Sequence, residues 1–95
     1  MTTELSPTSV PSINPLFRLQ FEKAQNAWVL LYPEGMVKLN QSAAEIMQRC
    51  DGLASISGIA ESLGIAFDTE VPVSDVTGFV QVAIEQNWLK IREPE

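Results

Sequence analysis

The residues of this chain that could do chemistry are one cysteine and a set of scattered carboxylates. The chain has no histidine, so the most frequent general base and metal ligand is missing. Cys50 lies on the apolar stripe of a predicted helix, which favours a buried structural thiol over a nucleophile. The carboxylates lie in predicted loops, caps and polar helix faces, without the spacing of a metal site or an acid–base pair. We therefore predict that the protein is not an enzyme and holds no cofactor and no metal.

Length and charge narrow the remaining classes of protein. A chain of 95 residues forms one domain with a thin core. Its net charge is −6, from six basic and twelve acidic residues, which disfavours nucleic acid and anionic membranes as partners. A single cysteine cannot form an internal disulfide, the N-terminus lacks the features of a signal peptide, and no apolar run is long enough to span a membrane. These features predict a cytoplasmic protein.

The first half of the chain predicts a small antiparallel sheet. Residues 1–15 contain three prolines among Ser, Thr and Asn and are predicted to be a flexible N-terminal tail. Residues 16–22 alternate between apolar and polar side chains, which is typical of a half-buried strand. Residues 27–32 form an apolar strand that must stop at Pro-Glu-Gly, and residues 36–39 return as a third strand on the edge of the sheet.

The second half predicts three amphipathic helices. Apolar residues recur at helical spacing, first up to Cys50 and then in two further segments. The predicted N-caps are Asn40, Ser55 and Ser74, and Gly64 is predicted to end the second helix. Together these patterns predict an α+β domain over residues 16–92, a three-stranded antiparallel sheet followed by three helices, similar to a winged helix-turn-helix.

Two classes of binding protein fit this fold. An exposed edge strand can accept an added peptide strand through main-chain hydrogen bonds. The alternative is a winged-helix DNA-binding regulator. Its candidate recognition helix, residues 73–87, contains no Lys or Arg for phosphate and base contacts. The residue pattern therefore favours a peptide-binding domain.

Several segments together resemble the PqqD family of pyrroloquinoline quinone biosynthesis. They are WVLLYPEGMVKLNQSAAEIMQRCDG (residues 28–52), SISGIAESL, and SDVTGFVQVAIEQNWL. The resemblance covers residues 16–92. Its most specific parts are LLYPEG, the LNxxA step into the first helix, the CDG that closes this helix, and DVxxF in the third.

The resemblance implies a non-catalytic peptide chaperone that binds the precursor peptide PqqA and presents it to the radical S-adenosylmethionine enzyme PqqE. In related domains the peptide adds as a strand beside the third strand, against the third helix. By position, this implies a peptide-binding set of four strand and four helix residues: Met36, Val37, Lys38, Leu39, Val76, Phe79, Val80 and Ala83. The four helix residues also form the core stripe of the third helix, and the sequence does not separate the two roles. The exposed edge and thin core also predict a concentration-dependent homodimer that exchanges strands or helices.

Overall fold

Five strands and three helices make up the computed structural model, which describes residues 5–92. In chain order the elements are β1 (Val10–Ile13), β2 (Arg18–Glu22), β3 (Ala27–Tyr32), β4 (Gly35–Lys38), α1 (Gln41–Gln48), α2 (Ile56–Phe67), α3 (Val73–Glu85) and β5 (Leu89–Arg92). The strands form a three-stranded antiparallel sheet, in the order β2-β3-β4, and a two-stranded antiparallel sheet of β1 and β5. The predicted α+β class, with an antiparallel sheet and three helices, is confirmed, and the second sheet is an addition to it.

The β2-β3-β4 sheet forms because its strands follow one another along the chain through short turns. Leu19 lies opposite Leu30, and Leu30 lies opposite Val37, so these side chains share one face of the sheet. Leu30 is fully buried in the core on that face. The ring of Tyr32 lies over the backbone of Gly35, the first residue of β4, and a Cβ atom there would lie 2.7 Å from the tyrosine hydroxyl. The sheet therefore packs one face on the core and has β4 at its edge, as predicted.

Side-chain caps fix the first turns of α1 and α2. The Asn40 Oδ1 atom accepts a hydrogen bond of 2.8 Å from the Ala43 N–H, and the Ser55 hydroxyl accepts one of 3.1 Å from the Gly58 N–H. Both residues have extended backbone angles at the cap position, so each satisfies an N–H that the helix itself cannot bond. The predicted caps at Asn40 and Ser55 are confirmed.

Two predicted helix boundaries are wrong. Gly64 does not end α2, which continues to Phe67 and is closed by Asp68 in the left-handed region (φ 52°). Gly64 instead admits the returning chain, because a Cβ atom there would lie 2.8 Å from the Thr69 carbonyl oxygen. Ser74 does not cap α3, which starts at Val73 after Pro72.

The prediction that residues 1–15 form a flexible tail is wrong for Val10–Ile13, which form a strand and pair with the C-terminal segment of the chain. Strand β1 runs antiparallel to β5, with Ile13 opposite Leu89. Leu89 belongs to this fifth strand and is buried in the core. Residues 1–4 lie outside the described part of the chain. The ordered domain therefore begins before residue 16.

Strand β1 accommodates Pro11 because of the register in which it pairs with β5. The Asn14 N–H donates to the Trp88 carbonyl at 2.9 Å, and the ladder alternates from there, so Pro11 falls at a position that does not bond β5. Its carbonyl instead accepts the Gly52 N–H at 3.1 Å. Gly52 itself adopts a left-handed conformation (φ 79°), four residues beyond the end of α1 at Gln48. The segment after α1 thus covers the outer edge of β1.

Cys50 is a buried structural thiol, as predicted. Its side chain is 3% exposed, and the thiol donates to the Ile46 carbonyl at 3.2 Å. Burial, with a smaller contribution from the Asp51 carboxylate, raises the pKa of Cys50 to about 12. At neutral pH the thiolate needed for nucleophilic attack is therefore not formed.

Candidate functional site

The edge of β4 carries backbone groups that point away from its own sheet. Strand β4 is last in the sheet order of the described residues, with β3 as its neighbour. The Leu39 N–H donates to the Trp28 carbonyl at 2.9 Å. Because bonded and non-bonded positions alternate in an antiparallel ladder, the N–H of Val37 also faces β3, and those of Met36 and Lys38 face outward. An added strand could bond these outward N–H and C=O groups.

The side chains of this strand alternate between solvent and core. The Met36 side chain is 44% exposed, and Lys38 is exposed on the same face. Val37 is half-buried and packs on the core, and Leu39 is buried just beyond the strand. The structure thus brings the four strand residues of the predicted peptide-binding set together on one edge. Their contact with a peptide stays a prediction.

An apolar cavity of about 540 Å³ lies between the ends of the three helices. It is lined by the start of α1, the second half of α2, the loop after α2 and the start of α3. The lining residues are Asn40, Gln41, Ser42, Ala43, Glu45, Ile46, Leu63, Phe67, Thr69, Val71, Asp75, Val76 and Phe79. Since Asn40 directly follows the residue after β4, the cavity begins where the strand edge ends.

The charge of this cavity comes from two carboxylates. Glu45 forms an ion pair with Arg49, with 2.9 Å between the side-chain atoms. Asp75, in the first turn of α3, has no ion-pair partner among residues 5–92. The cavity therefore offers apolar walls and one free carboxylate, which suit an apolar side chain with a neighbouring cation or hydrogen-bond donor.

The helix residues of the predicted peptide-binding set do not all line a surface. Val76, Val80 and Ala83 are each 0% exposed and belong to the core, although Val76 also reaches the wall of the cavity. Phe79 is half-buried and lines the cavity. Val80 and Ala83 are therefore corrected from a peptide-contacting wall to core residues.

Two accessible positions on α3 lie outside the predicted peptide-binding set. Asp75 lies one turn before Phe79 and lines the same cavity. Val82 is 50% exposed and lies on the same side of the helix, because residues three and four apart are neighbours on a helix surface. Their helical spacing from Phe79 is visible in the sequence, although it does not show that this side of α3 reaches the cavity. The accessible wall of α3 is therefore Asp75, Phe79 and Val82.

Within residues 5–92, no three Cys, Asp or Glu side chains are close enough together to hold a metal ion. Asp51 acts locally: its Oδ1 atom accepts the N–H groups of Leu53 and Ala54 at 2.8 and 3.0 Å. The bonds from Ala54 and Leu53 lower the pKa of Asp51. No helix in the described part of the chain is long and apolar enough to cross a membrane.

An open strand edge beside an apolar cavity defines a class of small binding domains that take up an extended peptide. The family profile described as Coenzyme PQQ synthesis protein D (PqqD) matches residues 27–89. The chain belongs to this PqqD family.

Similar proteins agree with this assignment. The PqqA binding protein of Stutzerimonas stutzeri is 42% identical over 91 residues, which cover 95% of this chain and 99% of that protein. The PqqA binding protein of Pseudomonas aeruginosa is 46% identical over 86 residues, 88% of this chain and 92% of the relative.

A solved structure with the same fold is the solution structure of the PqqD truncation of Methylobacterium extorquens PqqCD. It is described as a functional, stand-alone recognition element for ribosomally synthesised and post-translationally modified peptides. It superposes with a TM-score of 0.77 at 28% identity, over 93% of this chain and 96% of that one.

Proposed function

We propose that this protein is a non-catalytic, cytoplasmic chaperone that binds the precursor peptide PqqA and presents it to the radical S-adenosylmethionine enzyme PqqE. The peptide adds as a strand to the β4 edge. The observation that carries this proposal is the outward direction of the Met36 and Lys38 backbone groups, on a strand whose chain continues through Leu39 into the wall of the apolar cavity at Asn40. The peptide-recognition domain comprises residues 16–92 together with β1, which pairs with β5.

The relatives support the peptide as ligand. The proteins of S. stutzeri and P. aeruginosa are named for PqqA binding and align with most of this chain. The cavity and the edge also match what an extended peptide requires, since main-chain bonds supply register and side-chain cavities supply specificity. A cytoplasmic location is consistent with a single, buried free thiol.

The edge alone is too weak to account for tight binding. The N–H and C=O groups of Met36 and Lys38 can make four main-chain bonds, each worth about 0.5–1.5 kcal/mol net. Their sum, roughly 2–6 kcal/mol, falls short of the ~8 kcal/mol that corresponds to micromolar affinity. Apolar burial, at about 25 cal/mol per Å², supplies the difference when peptide side chains enter the cavity. Both parts of the site are therefore needed.

Titration with synthetic PqqA tests the proposal. We expect saturable binding by calorimetry, and amide resonances of β4 and of the cavity lining should shift in nuclear magnetic resonance spectra. Duplex DNA at low salt is titrated separately as the alternative ligand. We expect no binding to DNA, because α3 carries no Lys or Arg. Binding to DNA with none to PqqA would favour the winged-helix regulator instead.

The same edge supports a proposal of self-association. An unpaired edge strand can join the equivalent strand of a second copy, which gives a symmetric dimer that buries the β4 backbone. We expect a concentration-dependent dimer in light scattering, and PqqA should dissociate it because both compete for one edge. A strict monomer at millimolar concentration would contradict this proposal.

A further inference from the structure

The lining of the apolar cavity contains two carboxylates, Glu45 and Asp75, and among residues 5–92 no lysine or arginine lines it. Glu45 is neutralised by its ion pair with Arg49. Arg49 is held in place, because its Nε atom donates to the Ser62 hydroxyl at 3.0 Å and its Nη1 atom donates to the Glu45 carbonyl at 2.9 Å. Asp75 has no ion-pair partner within the described residues, so it is the uncompensated charge of the cavity.

The neighbours of Asp75 on its own helix leave this carboxylate open to an incoming group. Side chains three and four residues apart are neighbours on a helix surface, and a lysine or arginine at either spacing could pair with an aspartate. In α3 these positions hold Gly78 and Phe79. Asp75 is exposed, and a Cβ atom at Gly78 would meet nothing within 4 Å in the described chain beyond its own stretch of helix.

Gly78 has no packing contact among residues 5–92 that explains a glycine there. At each of the other four glycines a Cβ atom would lie between 2.7 and 3.4 Å from another atom of the chain, whereas Gly78 lies in the middle of α3 with open space beside it. Glycine in the middle of a helix is destabilising relative to alanine. A bare turn of helix next to an uncompensated carboxylate suits a ligand that packs on α3 and reaches Asp75.

A peptide in the proposed site changes the surroundings of Asp75. In the free protein, water solvates the exposed carboxylate. A peptide that adds to β4 and enters the cavity displaces part of this water, and an ionised group that loses water without gaining an opposite charge opposes binding. A basic side chain compensates the charge, whereas a neutral or acidic one does not. The site therefore discriminates against peptides that bring no cation to this point.

We infer that Asp75 is a specificity-determining residue, which pairs with a lysine or arginine of the bound peptide. This inference rests on the proposed function, under which the peptide is PqqA. Phe79 lines the same cavity and receives an apolar part of the same peptide segment. The net charge of −6 adds a longer-range attraction for a cation. The peptide segment that meets the start of α3 is thus basic and apolar, not acidic.

Two variants matched in charge test the role of Asp75. Asp75→Asn removes the carboxylate from the cavity wall, and Glu85→Gln removes an exposed one from the last turn of the same helix. With synthetic PqqA as the probe, we expect Asp75→Asn to weaken binding about fivefold at low salt and to reduce its salt dependence. Glu85→Gln should change the affinity less than about twofold.

Peptide variants identify the partner of Asp75. Each lysine and arginine of PqqA is replaced by glutamine in turn, and every peptide is titrated against the wild-type protein and against Asp75→Asn. One replacement should weaken binding to the wild-type protein about fivefold. The same replacement should change binding to Asp75→Asn less than about twofold, because the effects of two groups that pair are not additive.

Substitutions at Gly78 test the same pair from the side of the protein. Gly78→Lys places a cation three residues after Asp75, and Gly78→Gln places a neutral side chain of similar length there. Both variants should melt above the wild-type protein, because lysine and glutamine favour a helix more than glycine does. Gly78→Lys should bind PqqA about two- to threefold more weakly than Gly78→Gln, because its ammonium group competes for Asp75 and repels the peptide cation.

Equal affinities of Asp75→Asn and Glu85→Gln for PqqA would overturn the inference. So would a peptide series in which no basic residue is coupled to Asp75, or equal affinities of the two Gly78 variants. Failure of the wild-type protein to bind PqqA would instead overturn the proposed function.

Discussion

A Lys38→Pro variant is expected to fold and to bind PqqA more weakly, whereas Val37→Pro is expected to be strongly destabilised. Proline removes one backbone N–H, and the two positions differ in where that N–H points. The Val37 N–H faces the carbonyl of Leu30, its partner in the register, and Leu30 is fully buried. An unsatisfied buried acceptor costs about 1–3 kcal/mol, and a loss of 1 kcal/mol lowers the melting temperature of a domain this small by about 4–8 °C.

The Lys38 N–H points away from β3 and is available to the incoming peptide. Its loss removes one main-chain bond of about 0.5–1.5 kcal/mol, roughly a 2- to 10-fold decrease in affinity, and the proline ring excludes part of the added strand. Thermal melts followed by circular dichroism measure folding, and calorimetry measures affinity. Lys38→Gln is the control for loss of the side-chain charge and should bind normally. A folded Lys38→Pro protein with unchanged affinity would show that the peptide does not use this edge.

The parts of the fold that could be predicted from the sequence depend on neighbouring residues. Strands β2, β3 and β4 are joined by short turns, so their order and pairing follow from alternation and from Pro33 and Gly35. The start of α1 at Asn40 follows from a side chain that bonds an N–H three residues later. Such signals act within one turn or hairpin, which is the range over which single residues determine backbone structure.

The β1–β5 pair could not be predicted, because its partners lie at opposite ends of the chain. The segment Val10–Ile13 contains Pro11, which as a local signal argues against a strand. Pro11 is compatible with β1 because its missing N–H faces away from β5, and Gly52 bonds its carbonyl. This compatibility depends on a tertiary register that no local pattern encodes.

Of the candidate site, only the part on strand β4 could be predicted from the sequence, for a similar reason. The β4 edge follows from strand order, and its four residues were identified. On α3 a single apolar stripe was assigned to both core and peptide wall; Val80 and Ala83 are buried and do not line the cavity, whereas the buried Val76 does. The cavity depends on the distance between the first turns of α1 and α3, so the role of Asp75 in its lining could be seen only in three dimensions.

Two aspartate variants of α3 distinguish the core residues from the accessible wall, and they carry the largest expected difference in stability. Val80 is 0% exposed and Val82 is 50% exposed. Val80→Asp places a carboxylate in the apolar core without a partner, which costs several kcal/mol against a total stability of about 5–15 kcal/mol. We expect this variant to be largely unfolded at 25 °C. Val82→Asp makes the same chemical change on the accessible side of the same helix and should stay folded, with a stability change within about 1 kcal/mol.

Urea unfolding followed by circular dichroism measures both stabilities, and PqqA titration follows for each variant that folds. The added carboxylate of Val82→Asp lies one helical turn after Phe79, which lines the cavity, and it should oppose apolar peptide side chains on this side of α3 and lower the affinity. Gln25→Asp is a suitable control, because it also replaces a neutral side chain by a carboxylate at an exposed position, in the turn between β2 and β3. A Val80→Asp protein that folds with wild-type stability but no longer binds PqqA would return Val80 to the peptide-contacting wall that the sequence predicts. An unfolded Val80→Asp protein, together with a folded Val82→Asp protein that binds poorly, would establish that the peptide meets α3 through Asp75, Phe79 and Val82 and not through its core stripe.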